Sequence, residues 1–354
     1  MNIKKKAILF VVRQDSPGGI EVLLPEIIKA LENEFLFEAF VFNPNRHKDS
    51  VFTEFNIKVR YGKKNNILSY VLFILHLLKQ KKTLIHIFNG GPIVYFLTTL
   101  VKKKVLYSIH GTNYWKSNLQ KVIYKPLWKI GIRRNVLFTA NSYYSRQVFK
   151  NQISNKPIIK TLYNPINTKR FSLRKGTQKF PEHIFYCGRL AEGKNLFTWI
   201  DVAIEIHSKF PGTHFHIYGD GPLKEELIAY SKLHSMQQLI TFHGFIKNIE
   251  SVYQKGDLLL FLSDQESFGN VVVESILSGT PVLATDIPSM KEIFKNHSSF
   301  LVNKNQIAGE ILEKLKSFDV LKEKVYPAAE EFSQRFSHNQ HIRNLRTIYR
   351  SFFK

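Results

Sequence analysis

Two acids with seven residues between them, Glu266 and Glu274, lie in the stretch 261–286, FLSDQESFGNVVVESILSGTPVLATD. Glu266 falls just past an apolar run, 258–262, that suits a buried strand, and a small turn, Ser267-Phe268-Gly269, follows it. A helix is expected to begin near Asn270 and to carry Glu274 in its early turns. Gly269 lets the backbone approach a ligand closely. The free amides of that helix start, together with its dipole, make an anion site suited to a diphosphate. Each carboxylate accepts through two oxygens and can therefore hold a vicinal diol, as a ribose or a hexose presents. Taken alone, the same residues equally fit a helix capped by Glu266 with Glu274 on its solvent face.

Other residues of chemical interest also follow apolar runs. Gly188-Arg189-Leu190 comes after 183–187, with Lys194 five residues beyond Arg189. Alone, that is a surface Arg and Lys after a strand. Tyr218-Gly219-Asp220-Gly221-Pro222 closes one run and opens a helical one, and also fits a structural turn. Phe242-His243-Gly244-Phe245 follows the next run. In the first half, Gly18 and Gly19 lie in a loop after the first strand, and His110 ends the strand candidate 105–109. The single cysteine, Cys187, rules out an internal disulfide and fits a reducing cytosol; it reads as a small buried apolar residue rather than a reactive thiol.

These positions need a scaffold, and the periodicity supplies one. Short apolar runs at 7–12, 37–42, 84–88, 105–109 and 137–140 alternate with helical stretches, beginning with a helix at 20–32. The pattern restarts after 163–179. Strands are expected at 183–187, 213–218, 240–243, 258–262 and 281–284, with helices at 196–210, 223–234, 271–277 and 290–294. This indicates two α/β domains of the Rossmann type, each a doubly wound parallel sheet, with a central cleft between them. The expected division is 1–168, 169–336, and a basic amphipathic C-terminal helix within 337–354 that packs back on the first domain.

The spacing Glu266-x7-Glu274, with Phe268-Gly269 inside it and Ser278-Gly279-Thr280-Pro281-Val282 behind it, resembles the donor-site signature of family-four retaining glycosyltransferases, the glycosyl transferases group 1 domain. The likeness runs along nearly the whole chain. It implies the GT-B fold and transfer of a sugar from a nucleotide-diphosphate donor, with UDP favoured on family grounds alone. By the same likeness, Arg189 and Lys194 hold the donor diphosphate. Such cations neutralise leaving-group charge and can take the place of a metal; no Asp-x-Asp pair occurs, and neither metal nor cofactor is expected. Glu266 is expected to hold the donor sugar, and His110 to lie close to it. Gly18, Gly19, Gly219, Phe268, Gly269, Asn270 and Glu274 complete the expected donor site. The loop 286–292 lacks the glycines the family often carries before Glu292.

The charge is unevenly distributed. The chain carries a formal +23, and from Phe55 through Arg170 there are 22 basic residues and no acidic one. Such a field must repel itself or meet anions. Tyr114–Arg134 interleaves Trp115, Tyr124 and Trp128 with lysines and arginines, which suits an anionic membrane interface or, equally, a core helix with a solvated lysine face. A cytoplasmic enzyme, peripheral on the inner face of the membrane, is expected, with a glycan or polyprenyl-linked acceptor and a role in bacterial surface polysaccharide. No transmembrane helix is expected: Ile67–Leu78 is too short, and Asn89-Gly90-Gly91-Pro92 interrupts the next greasy stretch. Two other readings are a GT-B-fold nucleotide-sugar epimerase and a basic nucleic-acid-binding protein. The second lacks zinc spacing, a recognition helix or RNA-binding aromatics, so no nucleic-acid partner is expected.

Overall fold

The computed structural model describes residues 5–15, 23–44, 50–63, 67–80, 83–88, 90–101, 103–115, 117–132, 136–174 and 180–353. The chain forms two compact units, Met1–Tyr163 with His341–Lys354, and Asn164–Gln340.

Unit 1 runs β1 (Lys6–Val12), α1 (Leu23–Leu31), β2 (Phe35–Val41), β3 (Lys58–Tyr61), α2 (Ile67–Lys79), β4 (Thr83–Phe88), α3 (Gly91–Leu100), β5 (Lys104–Ile109), α4 (Asn118–Gly131), β6 (Val136–Ala140), α5 (Tyr143–Gln152) and β7 (Ile159–Thr161). Its sheet has the order β3-β2-β1-β4-β5-β6-β7, parallel throughout. Because helices cover both faces, the central strands are apolar runs rather than alternating ones. Every residue of β4 is buried. One core packs α2, α3, α4 and α5 on one face through Phe73, Tyr95, Trp128 and Phe149. The other packs α1 through Leu24, Ile28 and Leu31.

Unit 2 runs β8 (His183–Cys187), α6 (Leu196–Lys209), β9 (His214–Tyr218), α7 (Lys224–Leu233), β10 (Ile240–Gly244), α8 (Glu250–Lys255), β11 (Leu258–Phe261), α9 (Asn270–Leu277), β12 (Val282–Thr285), α10 (Pro288–Ile293), β13 (Leu301–Val302), α11 (Ile307–Lys316), α12 (Phe318–Glu323) and α13 (Val325–Arg335). Its parallel sheet is ordered β10-β9-β8-β11-β12-β13. Buried Asp257 ties the segment entering β8 to the start of β11. It pairs with Arg174 Nη2 at 2.8 Å and accepts from the backbone amides of Glu182 and His183 at 3.1 and 2.9 Å.

The last helix, α14 (His338–Ser351), carries Ile342, Leu345, Ile348 and Tyr349 into the core that holds α1. Arg346 and Arg350 both meet Glu34, at 2.7 and 3.1 Å. Tyr349 also begins a buried polar chain. Its hydroxyl lies 2.7 Å from His86 Nδ1, His86 Nε2 lies 2.8 Å from Ser108 Oγ, and Ser108 Oγ lies 2.8 Å from Thr139 Oγ1. The chain crosses β4, β5 and β6 and satisfies an imidazole that is only 1% exposed. Burial, with His110 and His341 nearby, holds His86 well below the ordinary histidine range.

The aromatic residues of the α4 region point the other way from the interface reading. Trp128 is fully buried against Tyr95, Tyr107 and Phe149, and Tyr114 packs edge-on to Trp128 and Phe149. Large rings gain most from leaving water, so they took the sheet side of the helix.

His86 stays neutral in the folded protein, whereas an unfolded histidine takes up a proton below about pH 6.5. Stability therefore falls as pH drops through that value, by up to about 1.4 kcal/mol per pH unit for this group. His216, lowered to about 4 by burial and by His183, His243 and His214, adds in the same direction. Urea midpoints at pH 7.5, 6.5 and 5.5 are expected to decline; a higher midpoint at pH 5.5 contradicts the account. Tyr349→Phe is expected to cost about 1–3 kcal/mol at pH 7.5, the penalty of an unsatisfied buried partner.

Candidate active site

The strand order of unit 2 fixes where a site can form. From β8 the chain steps to β9 and β10 on one side, then returns to β11 on the other. Crossovers in both directions leave the carboxyl ends of β8 and β11 uncovered, which is where ligands bind in open parallel sheets. The loops 188–195 and 262–269 leave those two ends, and the Asp264 amide donates to Gly193 O at 3.0 Å, locking them side by side.

On these loops Lys194 and Glu266 meet. Lys194 Nζ forms an ion pair with Glu266 Oε2 and lies 5.6 Å from the ring centre of Phe261. The other carboxylate oxygen, Oε1, accepts from the Ser267 amide at 3.0 Å. Both side chains are about one-fifth exposed, so the pair is held but reachable. Gly269 takes φ +100° and caps α9 without a side chain, leaving the first amides of that helix with no side-chain acceptor at the cap. A Cβ there would lie 2.9 Å from Met290 Cε. Asn270 Oδ1, at the first helical position, accepts from Asn164 Nδ2 at 3.0 Å.

Glu274 sits one turn further along α9. Its Oε2 accepts from Tyr253 of α8 at 2.8 Å. Burial raises the Glu274 carboxyl, opposed by that hydrogen bond and by the Arg170 charge. Tyr253 is fully buried and its phenol is pushed well above the ordinary range, so it stays a donor.

The turns after β8, β9 and β10 are laced by backbone bonds. The Gly188 amide donates to Tyr218 O at 2.9 Å, the Leu190 amide to Asp220 O at 2.9 Å, and the Gly219 amide to Gly244 O at 2.8 Å. Gly219, at φ +143°, has no room for a side chain: a Cβ would stand 1.8 Å from Gly188 O. The Tyr218 and His243 rings stack at 4.2 Å with 13° between planes, at the ends of β9 and β10.

The remaining expected residues divide. Arg189 presents an exposed side chain from the loop after β8, and its carbonyl accepts from Tyr186 Oη at 3.0 Å. Phe268 is buried, edge-on to Phe336 at 5.3 Å, so its ring belongs to the core and its backbone to the turn. Gly18 and Gly19 lie outside the described residues. His110 belongs to unit 1, where it lines a small cavity with His86, Ser108, Thr139, Asn141 and His341 and stacks on Phe88. Thus Arg189, Lys194, Gly219, Glu266, Phe268, Gly269, Asn270 and Glu274 gather on the carboxyl-end loops of unit 2 and on α9. Cys187 is buried, and burial pushes its thiol up to about 12, as a structural cysteine requires. Tyr253 and Asn164 escaped the sequence reading as partners of Glu274 and Asn270. For Tyr253, 21 residues before its partner on another helix, no sequence signal exists.

Residues 167–335 match the model of the glycosyl transferases group 1 family. The O-antigen biosynthesis glycosyltransferase WclY of Escherichia coli is 24% identical over 309 residues, spanning 81% of this chain and 82% of that protein. The UDP-N-acetylglucosamine–peptide N-acetylglucosaminyltransferase GtfA subunit of Streptococcus agalactiae is 26% identical over 212 residues; the match spans 55% of this chain and 40% of that subunit. The structure of Anabaena HepE in complex with UDP and glucose superposes with a TM-score of 0.81 at 18% identity, covering 98% of this chain and 100% of HepE. That likeness establishes the GT-B fold, two parallel-sheet α/β units.

Gly219→Ala forces the Gly188 carbonyl aside and is expected to disturb the β8 and β9 turns together. The expected result is a loss of roughly 1–3 kcal/mol in stability, the scale of strained backbone, measured by urea denaturation. An unchanged midpoint would show that the two turns move freely.

Proposed function

We propose that this chain, whose residues 167–335 match the glycosyl transferases group 1 model, carries out a retaining transfer of a sugar from a nucleotide-diphosphate donor, UDP-linked, to a glycan or lipid-linked acceptor in bacterial surface polysaccharide synthesis. The observation that carries the reading is the Lys194–Glu266 pair beside the glycine-started α9, at the switch point between β8 and β11. The O-antigen role of WclY and the UDP and glucose bound to HepE support the acceptor class and the donor.

In this reading the donor diphosphate lies against the α9 amides and takes Lys194 from Glu266. The freed carboxylate then turns to the hydroxyls of the donor sugar, so donor binding and sugar recognition are coupled through one ion pair. Arg189 and Lys194 neutralise charge as the glycosidic bond breaks, without a metal. Glu274, steadied by Tyr253, receives the ribose diol. His110 stands near the transferred sugar. The acceptor hydroxyl attacks from the face the diphosphate leaves, and configuration is kept.

Incubation with a panel of nucleotide sugars and a polyprenyl-diphosphate-linked acceptor tests this directly. The expected product keeps the anomeric configuration of the donor by NMR; an inverted product, or a donor epimerised without transfer, overturns the reading. Lys194→Ala is expected to lower kcat by roughly 10²–10³-fold, the scale of losing one charge-stabilising group. Near-normal turnover would remove its leaving-group role. Glu274→Ala is expected to weaken nucleotide binding, read by calorimetry. Tyr253→Phe removes the bond that favours the Glu274 carboxylate, so the acid limb of nucleotide binding is expected to move to higher pH.

A further inference from the structure

Unit 1 carries an outer apolar surface that its own core leaves unused. In α2, Phe73, His76 and Leu77 face the sheet, while the opposite side is aliphatic rather than polar. Ile67, Val71, Leu75 and Leu78 recur at i, i+4, i+8 and i+11, forming one exposed stripe, with Ile67 81% exposed. The helix bears no acidic residue, and Lys79 ends it. At 13 residues it is about 20 Å long, against the roughly 30 Å of a bilayer core, so it cannot cross a membrane.

The neighbouring surface continues the pattern. α3 packs against both α2 and α4, placing the three helices on one side of the sheet. With Trp128 turned inward, α4 shows two strips to solvent. Leu119, Val122, Ile123 and Ile130 are each at least half exposed. Beside them Lys121, Lys125 and Lys129 line one row at i, i+4 and i+8, flanking a surface groove with Asn118, Val122 and Pro126. No acidic residue occurs between Glu54 and Glu182 to neutralise this face from within the sequence. Exposed aliphatic side chains in this number, adjoining a row of cations, are what a surface needs to seat in a headgroup layer. A protein partner would need matching acids and an apolar patch; an anionic bilayer offers both in one plane.

We propose that the α2–α4 face of unit 1 docks on an anionic lipid bilayer. The α2 stripe and the α4 aliphatics enter the boundary between headgroups and acyl chains, and the lysine row meets lipid phosphates. The proposal rests on the proposed transfer to a lipid-linked acceptor, and it replaces the aromatic anchor of the sequence reading with an aliphatic one.

Flotation of the full chain with vesicles of phosphatidylglycerol and phosphatidylcholine, and with phosphatidylcholine alone, tests it. Binding to the anionic vesicles and little to the neutral ones is expected. Val71→Asp with Leu75→Asp is expected to weaken binding at least about ten-fold, since charge is put where aliphatic burial is required. Lys121→Glu with Lys125→Glu and Lys129→Glu is expected to weaken it by about five-fold or more per lysine. Leu233→Asp, on the exposed surface of unit 2, serves as the control and is expected to bind as wild type. Circular dichroism checks folding; should the α2 variant fail to fold, the exposed lysine variant still decides the outcome.

Wild type that ignores anionic vesicles overturns the membrane reading itself. Wild type that binds while both variants bind equally well overturns only the placement on α2 and α4. A concentration-dependent dimer in light scattering that Val71→Asp with Leu75→Asp dissolves, with no vesicle binding, assigns the face to a second copy and also overturns the proposal. Transfer to a soluble acceptor, measured separately, reports on the glycosyltransferase reading without involving the membrane.

Discussion

Unit 2 depends on the reversal of strand order between β8 and β11. Without it, the loop carrying Lys194 and the loop carrying Glu266 would leave strands two or more places apart. With it, neighbouring strands send their crossovers to opposite faces, and the two loops meet above the sheet. The Asp264–Gly193 backbone bond fixes their spacing before any side chain acts. An ion pair at one-fifth exposure contributes modestly to stability, because desolvation offsets much of its attraction. Its value lies in position: a lysine otherwise free to sample many rotamers is held at the end of β8, and a carboxylate at the end of β11. The same reversal places the glycine start of α9 within this cluster of loops.

Unit 1 is organised by a different constraint, its charge. Of the 22 cations between Phe55 and Arg170, 20 belong to unit 1 with no anion among them, so the stretch cannot stabilise itself by pairing and leans on packing, on backbone carbonyls and on the few acids outside it. Glu38 lies 3.7 Å from His76 and accepts from Gln80 at 3.1 Å, while Lys103 and Lys104 donate to the backbone carbonyls of Gln80 and Phe352. The polar interior is kept neutral in compensation. His86 is held uncharged and satisfied on both nitrogens by hydroxyl-bearing side chains, so the core beneath a basic surface carries no buried cation there.

Much of this was legible in the residues. Buried parallel strands are continuous apolar runs, so β1, β4, β5, β8 and β11 stood out, and the restart after 163–179 revealed a second sheet. Of the four edge strands, β10 also stood out, at 240–243, and the other three did not. Lys58–Tyr61, Ile159–Thr161 and Leu301–Val302 are short and partly exposed, and they exist because a neighbour offers its edge, which no local pattern records. In α4 the periodicity was plain but its direction was not. Both Trp128 and the row Val122–Ile123 are apolar, and only the sheet decides which enters the core. At the site, the spacing of Glu266, Gly269 and Glu274 was visible because one loop and one helix carry all three. The Lys194–Glu266 contact and the Tyr253–Glu274 bond join separate elements, and depend on strand order and helix packing that a linear reading does not contain.

The two acids of the signature are held in different electrostatic conditions, and that difference argues for different work. Glu266 has a lysine on one carboxylate oxygen and a backbone amide on the other. Glu274 has one neutral phenol donor, and burial pushes its carboxyl toward the protonated form. A carboxylate balanced by a lysine can exchange that lysine for a ligand, because a diphosphate offers the cation a better partner while sugar hydroxyls offer the acid new donors. A carboxylate left short of donors gains most from neutral hydroxyls that complete its hydrogen bonds without requiring a counter-charge. On the proposed reading, the first environment suits the reacting end of a sugar nucleotide and the second its ribose, so the step from the loop before α9 into the helix sets the direction in which the donor lies.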